Sequence, residues 1–167
     1  MNMGGTIFEQ NINTRLEGPI RMVTSDIKEI KEIYISYWGE RGLYKDTFLQ
    51  RIIIQKLSYC FKLNNKLIAF CLMYYNSKNK IVNISLICVR KEYKGKGLGT
   101  SILKFCINNC INKKAKTFDL HVSTTNEPAK KLYTKLGFKP ILPIIKQYYH
   151  DENPEDNDAY YMVLRIP

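Results

Sequence analysis

One stretch, VRKEYKGKGLGTSILKF at residues 89–105, limits what this chain can fold into more than any other. Before it, Ile84, Leu86 and Cys88 alternate with Asn83, Ser85 and Ile87, which predicts a strand from Ile81 to Val89 with one face polar for part of its length. After it, Leu98, Ile102, Phe105, Cys106 and Ile111 mark the apolar face of a helix from about Leu98 to Asn112. Between the two lie Gly95, Gly97 and Gly99. A strand that turns on glycines into a helix aims the helix's unpaired amides, and the positive end of its dipole, beyond the strand end, where an anion is favoured. The glycines let backbone approach a phosphate with no Cβ in the way. Lys94 and Lys96 add charge, with Arg90 and Lys91 just before them, so a pyrophosphate fits. The pattern is neither a Walker A loop nor the GxGxxG of a dinucleotide site, since it reads GxGxG and does not follow the first strand. The alternative reading of the turn is a plain strand–helix connection whose glycines serve only close packing.

The other periodicities fill in the order of elements. A short strand reads at Pro19 to Val23. Ser25 and Asp26 can then cap a helix carrying Ile27, Ile30, Ile33 and Tyr34, and a second amphipathic stretch runs from Asp46 to Lys56. Ser58 to Leu63 and Leu67 to Tyr75 form a hairpin around Asn64, Asn65 and Lys66. In Thr117 to Val122, Phe118, Leu120 and Val122 face one way, Asp119 and His121 the other. Asn126 can cap a helix bearing Ala129, Leu132, Tyr133 and Leu136, which Gly137 ends. Two last strands are predicted at Ile144 to Tyr149 and Ala159 to Ile166. The order β-α-α-β-β-β-α-β-α-β-β implies an α/β (α+β) fold, a mixed sheet with helices on both faces.

A chain of 167 residues with 45% hydrophobic content suits one domain, expected over residues 19–167 after a flexible, polar N-terminal tail at residues 1–18. The net charge of +11 favours an anionic partner, the more so because Asp151, Glu152, Glu155, Asp156 and Asp158 cluster late in the chain. The lysines gather around the glycine turn rather than in a stripe with exposed aromatics, which argues against a nucleic acid. Cys60, Cys71, Cys88, Cys106 and Cys110 form no CxxC, and His121 and His150 add little, so no metal is expected. Cys106 and Cys110 read as buried thiols. No basic-then-apolar leader opens the chain, and the longest apolar run, Leu67 to Tyr75, is too short to span a bilayer. The expectation is a soluble cytoplasmic protein with no membrane partner.

Two stretches together, VRKEYKGKGLG and HVSTTNEPAKKLYTKLGFKP, resemble the GNAT superfamily of acetyl-CoA-dependent N-acetyltransferases. The resemblance covers roughly residues 20 to 166. It implies the GNAT fold: a central mixed, mostly antiparallel sheet of six to seven strands, splayed between strands 4 and 5. It also implies acetyl-CoA as cosubstrate. The family's Q/R-x-x-G-x-G/A loop corresponds to Lys94, Gly95, Lys96, Gly97, Leu98 and Gly99, followed by Thr100. Backbone at Ile87, Cys88 and Val89 would hold the pantetheine arm, with Asn126, Ala129 and Tyr133 beside it and Lys130 and Lys131 near the nucleotide phosphates.

LHVSTTNEPAKKLYTKLGF, with YYHDENPEDNDAYYMVL, is similar more narrowly to the protein N-terminal acetyltransferases and the ribosomal-protein alanine acetyltransferases. Acetyl transfer from a thioester needs a proton sink for the amine, a donor for the departing thiolate and hydrogen bonds for the carbonyl oxygen. The resemblance implies His121 as the base and Tyr133 as the donor near the CoA sulfur. It assigns the acceptor side to Asn83, Ser85, Tyr148 and Tyr149. Two departures are visible: Asn83 stands where many relatives carry Tyr or Glu, and YISYWGERGLYKD replaces their Phe-Pro-Val segment. The leading expectation is an N-acetyltransferase acting on a protein or peptide N-terminus, with an auxiliary subunit or the ribosome as a partner. The alternatives are transfer to a small amine (a polyamine, amino sugar phosphate or aminoglycoside-like compound) and a non-catalytic CoA-binding module, which Asn83 would suit.

Overall fold

An apolar strand long enough to be covered on both faces must lie inside a sheet, and Lys66–Asn76 does. Every residue from Leu67 to Met73 is fully buried. The computed structural model describes residues 15–40, 42–149 and 157–167. Within them the strands are β1 (Leu16–Arg21), β2 (Tyr59–Leu63), β3 (Lys66–Asn76), β4 (Ile81–Val89), β5 (Thr117–Ser123), β6 (Lys139–Ile145) and β7 (Ala159–Arg165). The helices are α1 (Ile27–Trp38), α2 (Asp46–Ile54), α3 (Leu98–Asn112) and α4 (Glu127–Lys135). The seven strands form one sheet in the order β1-β2-β3-β4-β5-β7-β6. All neighbours are antiparallel except β4 and β5.

Each face of the sheet has its own core. Ile68, Cys71 and Met73 of β3 pack with Ile102, Leu103 and Cys106 of α3 and Tyr133 of α4. Leu67, Phe70 and Leu72 pack with Ile30 and Ile33 of α1 and Leu49, Ile52 and Ile53 of α2. These follow the apolar stripes that the helical periodicities predict except in α3, where Leu103 is buried and Phe105, expected on that face, is exposed beside Tyr59; all five cysteines are buried thiols.

Three expectations need correction. The first strand begins at Leu16 and pairs with β2, so residues 16–18 belong to the sheet rather than to a tail. Residues 1–14 lie outside the described residues, as do His150 and the acidic positions 151–156. The strand expected at Ile144 to Tyr149 lies earlier, at Lys139–Ile145. Pro140 and Pro143 disguise it, and they are tolerated because β6 is an edge strand with one hydrogen-bonding side unused. It stops where Asp158 takes Lys146 Nζ at 2.6 Å and the Gln147 amide at 3.1 Å. Finally, β4 does not alternate evenly. Leu72 pairs with Leu86 but Met73 pairs with Ile84, which leaves Ser85 as a bulge. Val82 and Ile84 therefore face the α3–α4 core, whereas Leu86 and Cys88 face the α1–α2 core.

Candidate active site

The bulge sits where the sheet opens. β4 and β5 pair only at Val82 with Phe118 and at Asn83 with Asp119. Beyond those positions the strands diverge, so the inner edges of Ile84 to Val89 and of Leu120 to Ser123 bound a cleft with no strand between them. Ser85 opens it, and its carbonyl accepts the Tyr44 hydroxyl at 3.2 Å.

At the far end of β4, a short 3-10 turn at Lys91–Tyr93 leads into the glycine loop. Gly97 is the N-cap of α3, with φ of 76°, a left-handed conformation costly for any side chain. No side chain caps this end of α3. The first intrahelical bond runs from the Ser101 amide to the Gly97 carbonyl at 2.9 Å, so the amides of Leu98, Gly99 and Thr100 precede the helical ladder. A Cβ at Gly95 or Gly97 would meet nothing within 4 Å, and the loop is an open cradle. Lys94 and Lys96 border it, both exposed; Lys94 Nζ rests 4.4 Å from the centre of the Tyr37 ring.

The two candidate chemical groups approach the cleft from opposite faces. Tyr133 comes from α4 on the α3 side, 6% exposed, with its ring edge-on to Phe138. Burial, with smaller contributions from Cys71, Cys88 and Tyr149, holds its phenol far above the ordinary tyrosine range, so it stays protonated. Its hydroxyl makes no hydrogen bond among the described residues. His121 comes from β5 on the other side. Its ring stacks on Tyr148 at 4.3 Å and 12°, and Tyr161 lies 5.2 Å away. Burial lowers the His121 pKa and outweighs the opposing pull of Asp119, so the imidazole is neutral near pH 7. Tyr44, Phe48 and Tyr74 continue this aromatic wall: Phe48 stacks on Tyr44 at 5.3 Å and meets Tyr74 edge-on at 6.4 Å.

The sequence matches the Acetyltransferase (GNAT) family over residues 27–138. The chain belongs to that family. It is an acyltransferase with acetyl-CoA as cosubstrate. A candidate ribosomal protein bS18-alanine N-acetyltransferase of Bacillus subtilis is 26% identical over 143 residues, 81% of this chain and 87% of that protein. N-alpha-acetyltransferase 50 of Danio rerio is 29% identical over 131 residues, 74% of this chain and 76% of the relative. Arabidopsis thaliana Naa50, solved with the bisubstrate analogue CoA-Ac-MVNAL, shares the fold with a TM-score of 0.74 at 22% identity, over 93% of this chain and 100% of that one.

The GNAT chain offers acetyl-CoA a fitting site on its own geometry. The unpaired inner edge of β4 can take an extended amide arm, and the uncapped α3 terminus with its open glycine loop can take a diphosphate. Along that edge, Cys88 is buried, Ile87 packs on the α3–α4 core, and the Val89 carbonyl already accepts Tyr37 Oη at 2.6 Å. Asn126 caps α4, its Oδ1 accepting the Ala129 amide at 3.2 Å. Three side chains are engaged otherwise than the sequence suggests. Asn83 turns its amide to Asp119 Oδ1 at 2.8 Å and accepts Ser85 Oγ at 3.0 Å, so it does not point freely into the acceptor space. Arg90 donates to the Leu67 carbonyl and pairs with Glu29 and Glu32, tying α1 to β3 rather than charging the loop. Lys130 Nζ donates to the Thr124 carbonyl and pairs with Glu127, whereas Lys131 beside it is exposed. Sequence reasoning gave no role to Asp119, Tyr161, Tyr74 or Tyr44. The pairing of Asp119 with His121 on one strand face was visible; nothing local marked Tyr44 or Tyr74.

Proposed function

We propose that this GNAT enzyme acetylates the N-terminal α-amino group of a protein or peptide. The observation that carries the reading is the neutral His121, stacked on Tyr148 and flanked by Tyr161 beside the cleft. An amine brought against that ring can pass its proton to the imidazole as it attacks. Tyr148 is 41% exposed and Tyr149 meets it edge-on at 4.9 Å, which supports a slot wide enough for a backbone rather than a closed pocket for a small molecule. The names of the Bacillus and Danio relatives point to the same acceptor class.

In this reading His121 is the base, an amide on the open edge of β4 polarises the carbonyl, and Tyr133 donates to the departing sulfur. The loop amides, Lys94 and Lys96 would hold the diphosphate. Asn83 and Ser85 act through Asp119 and the bulge. We assign the reaction to the cytoplasm, since five unpaired thiols suit a reducing compartment. A ribosome or auxiliary subunit that presents the acceptor would suit the basic surface.

A peptide library scored by mass gain, run beside a panel of polyamines and amino sugars, tests the acceptor. Acetylation of peptide N-termini with little transfer to the panel is expected. Transfer confined to the small amines would overturn the reading.

A further inference from the structure

Asp119 handles no reacting atom in the chemistry above, yet its placement is costly. It is 7% exposed and lies at the last paired position of β4 and β5, the apex of the cleft. Asn83 Nδ2 donates to Oδ1 at 2.8 Å and Tyr161 Oη donates to Oδ2 at 2.9 Å; neither donor is a cation. Asp26, the other buried carboxylate among the described residues, has Lys62 Nζ at 2.6 Å. Among the described residues, no lysine or arginine pairs with Asp119, although the chain carries 26 such residues against 15 acidic ones. A buried carboxylate without a counter-ion is expensive unless something recurrent binds in its field.

That field falls on the slot. Tyr161, bonded to Asp119, is 5.2 Å from His121, and His121 is 4.3 Å from Tyr148. Asp119 contributes to suppressing the acidity of both tyrosines, after burial in each case and, for Tyr148, after Tyr74 as well. The other groups on this face that burial keeps neutral, Tyr44 among them, do nothing to offset the charge. Asp119 itself is shielded from water, so its charge reaches the slot across several ångströms, moderated by the partial exposure of Tyr148 and by Arg165, which opposes it at Tyr161.

We propose that Asp119 sets the charge selectivity of the acceptor slot, admitting a cationic amine beside a neutral or basic side chain and rejecting one beside a carboxylate. An α-amino group with a pKa of about 7.7–8.0 arrives largely as ammonium at neutral pH and is drawn toward the carboxylate. An acidic first residue brings a second negative charge into the same field. The inference rests on the peptide acceptor proposed above.

The test is kcat/KM for peptides identical except for a first residue of Ala, Lys or Asp, with wild type, Asp119→Asn and Tyr161→Phe. The asparagine keeps the shape: its oxygen can accept from Asn83 and its amide can donate to Tyr161. Wild type should disfavour the Asp peptide about tenfold or more relative to Ala. Asp119→Asn should shrink that ratio to within about threefold, whereas Tyr161→Phe, which retains the charge, should leave it near the wild-type value. Acetyl-CoA affinity by calorimetry confirms that both variants are folded. An unchanged ratio in folded Asp119→Asn overturns the inference. So does a wild type that acetylates all three peptides equally, which decides the matter even if the asparagine variant does not fold. A wild type that acetylates no peptide overturns the acceptor reading, and this inference with it.

Discussion

Tyr133→Phe separates catalysis from packing more cleanly than any other substitution here. The ring would stay where it is, edge-on to Phe138 at 5.9 Å in the α3–α4 core, and only the hydroxyl would go. That hydroxyl has no hydrogen-bond partner among the described residues, so no fold-stabilising contact is lost. The hydroxyl is not one of the fully buried polar atoms left without a partner, so its loss should change stability by no more than about 1 kcal/mol either way, about 4 °C at most for a domain of this size. The catalytic consequence is larger. A hydrogen bond to a developing thiolate contributes about 1.5–3 kcal/mol, so kcat should fall roughly 10- to 150-fold. The phenol stays protonated through the working range because burial raises its pKa, so the defect should not be rescued by moderate changes of pH. Thiol release under single-turnover conditions, with a thermal melt on the same preparation, reads both quantities. A variant that melts no lower than wild type and turns over at the wild-type rate would refute the donor role.

His121→Gln should lower kcat by about 10²–10⁴-fold while calorimetric affinity for acetyl-CoA stays within about twofold. Because the base must be neutral and burial lowers its pKa, wild-type kcat at saturating peptide should hold down to a pH below the usual imidazole value and then fall; the variant should lack that acid limb. Gly97→Ala faces no steric neighbour within 4 Å but must hold a φ of 76°, a strain of about 1–2 kcal/mol. The loop should distort to relieve it, weakening acetyl-CoA about tenfold; wild-type affinity would count against the diphosphate cradle.

Much of the scaffold was legible because periodicity is a local property. β4 at Ile81–Val89 and α3 at Leu98–Asn112 have the bounds that their apolar spacing predicts. The order of strands and helices followed from the same patterns, as did an open glycine turn at an uncapped helix start. Edge character was not legible, which is why β6, with Pro140 and Pro143, was expected too late in the chain. The bulge was not legible either. Ser85 looks like one more alternating residue until β3 supplies the register.

The candidate site divides along the same line. His121, Tyr133 and Asn126 could be named from their motif, because each is a fixed distance from Leu120 or Gly137 along the chain. The hydrogen bonds from Asn83 and Tyr161 to Asp119 join three strands that are distant in sequence, and Tyr44 reaches Ser85 from the segment before α2. The chain by itself thus determined which backbone stretches are strand, turn and helix, and which turn can hold a diphosphate. Only the tertiary structure decided which side chains share the cleft, because strand register and one bulge choose the face on which each emerges.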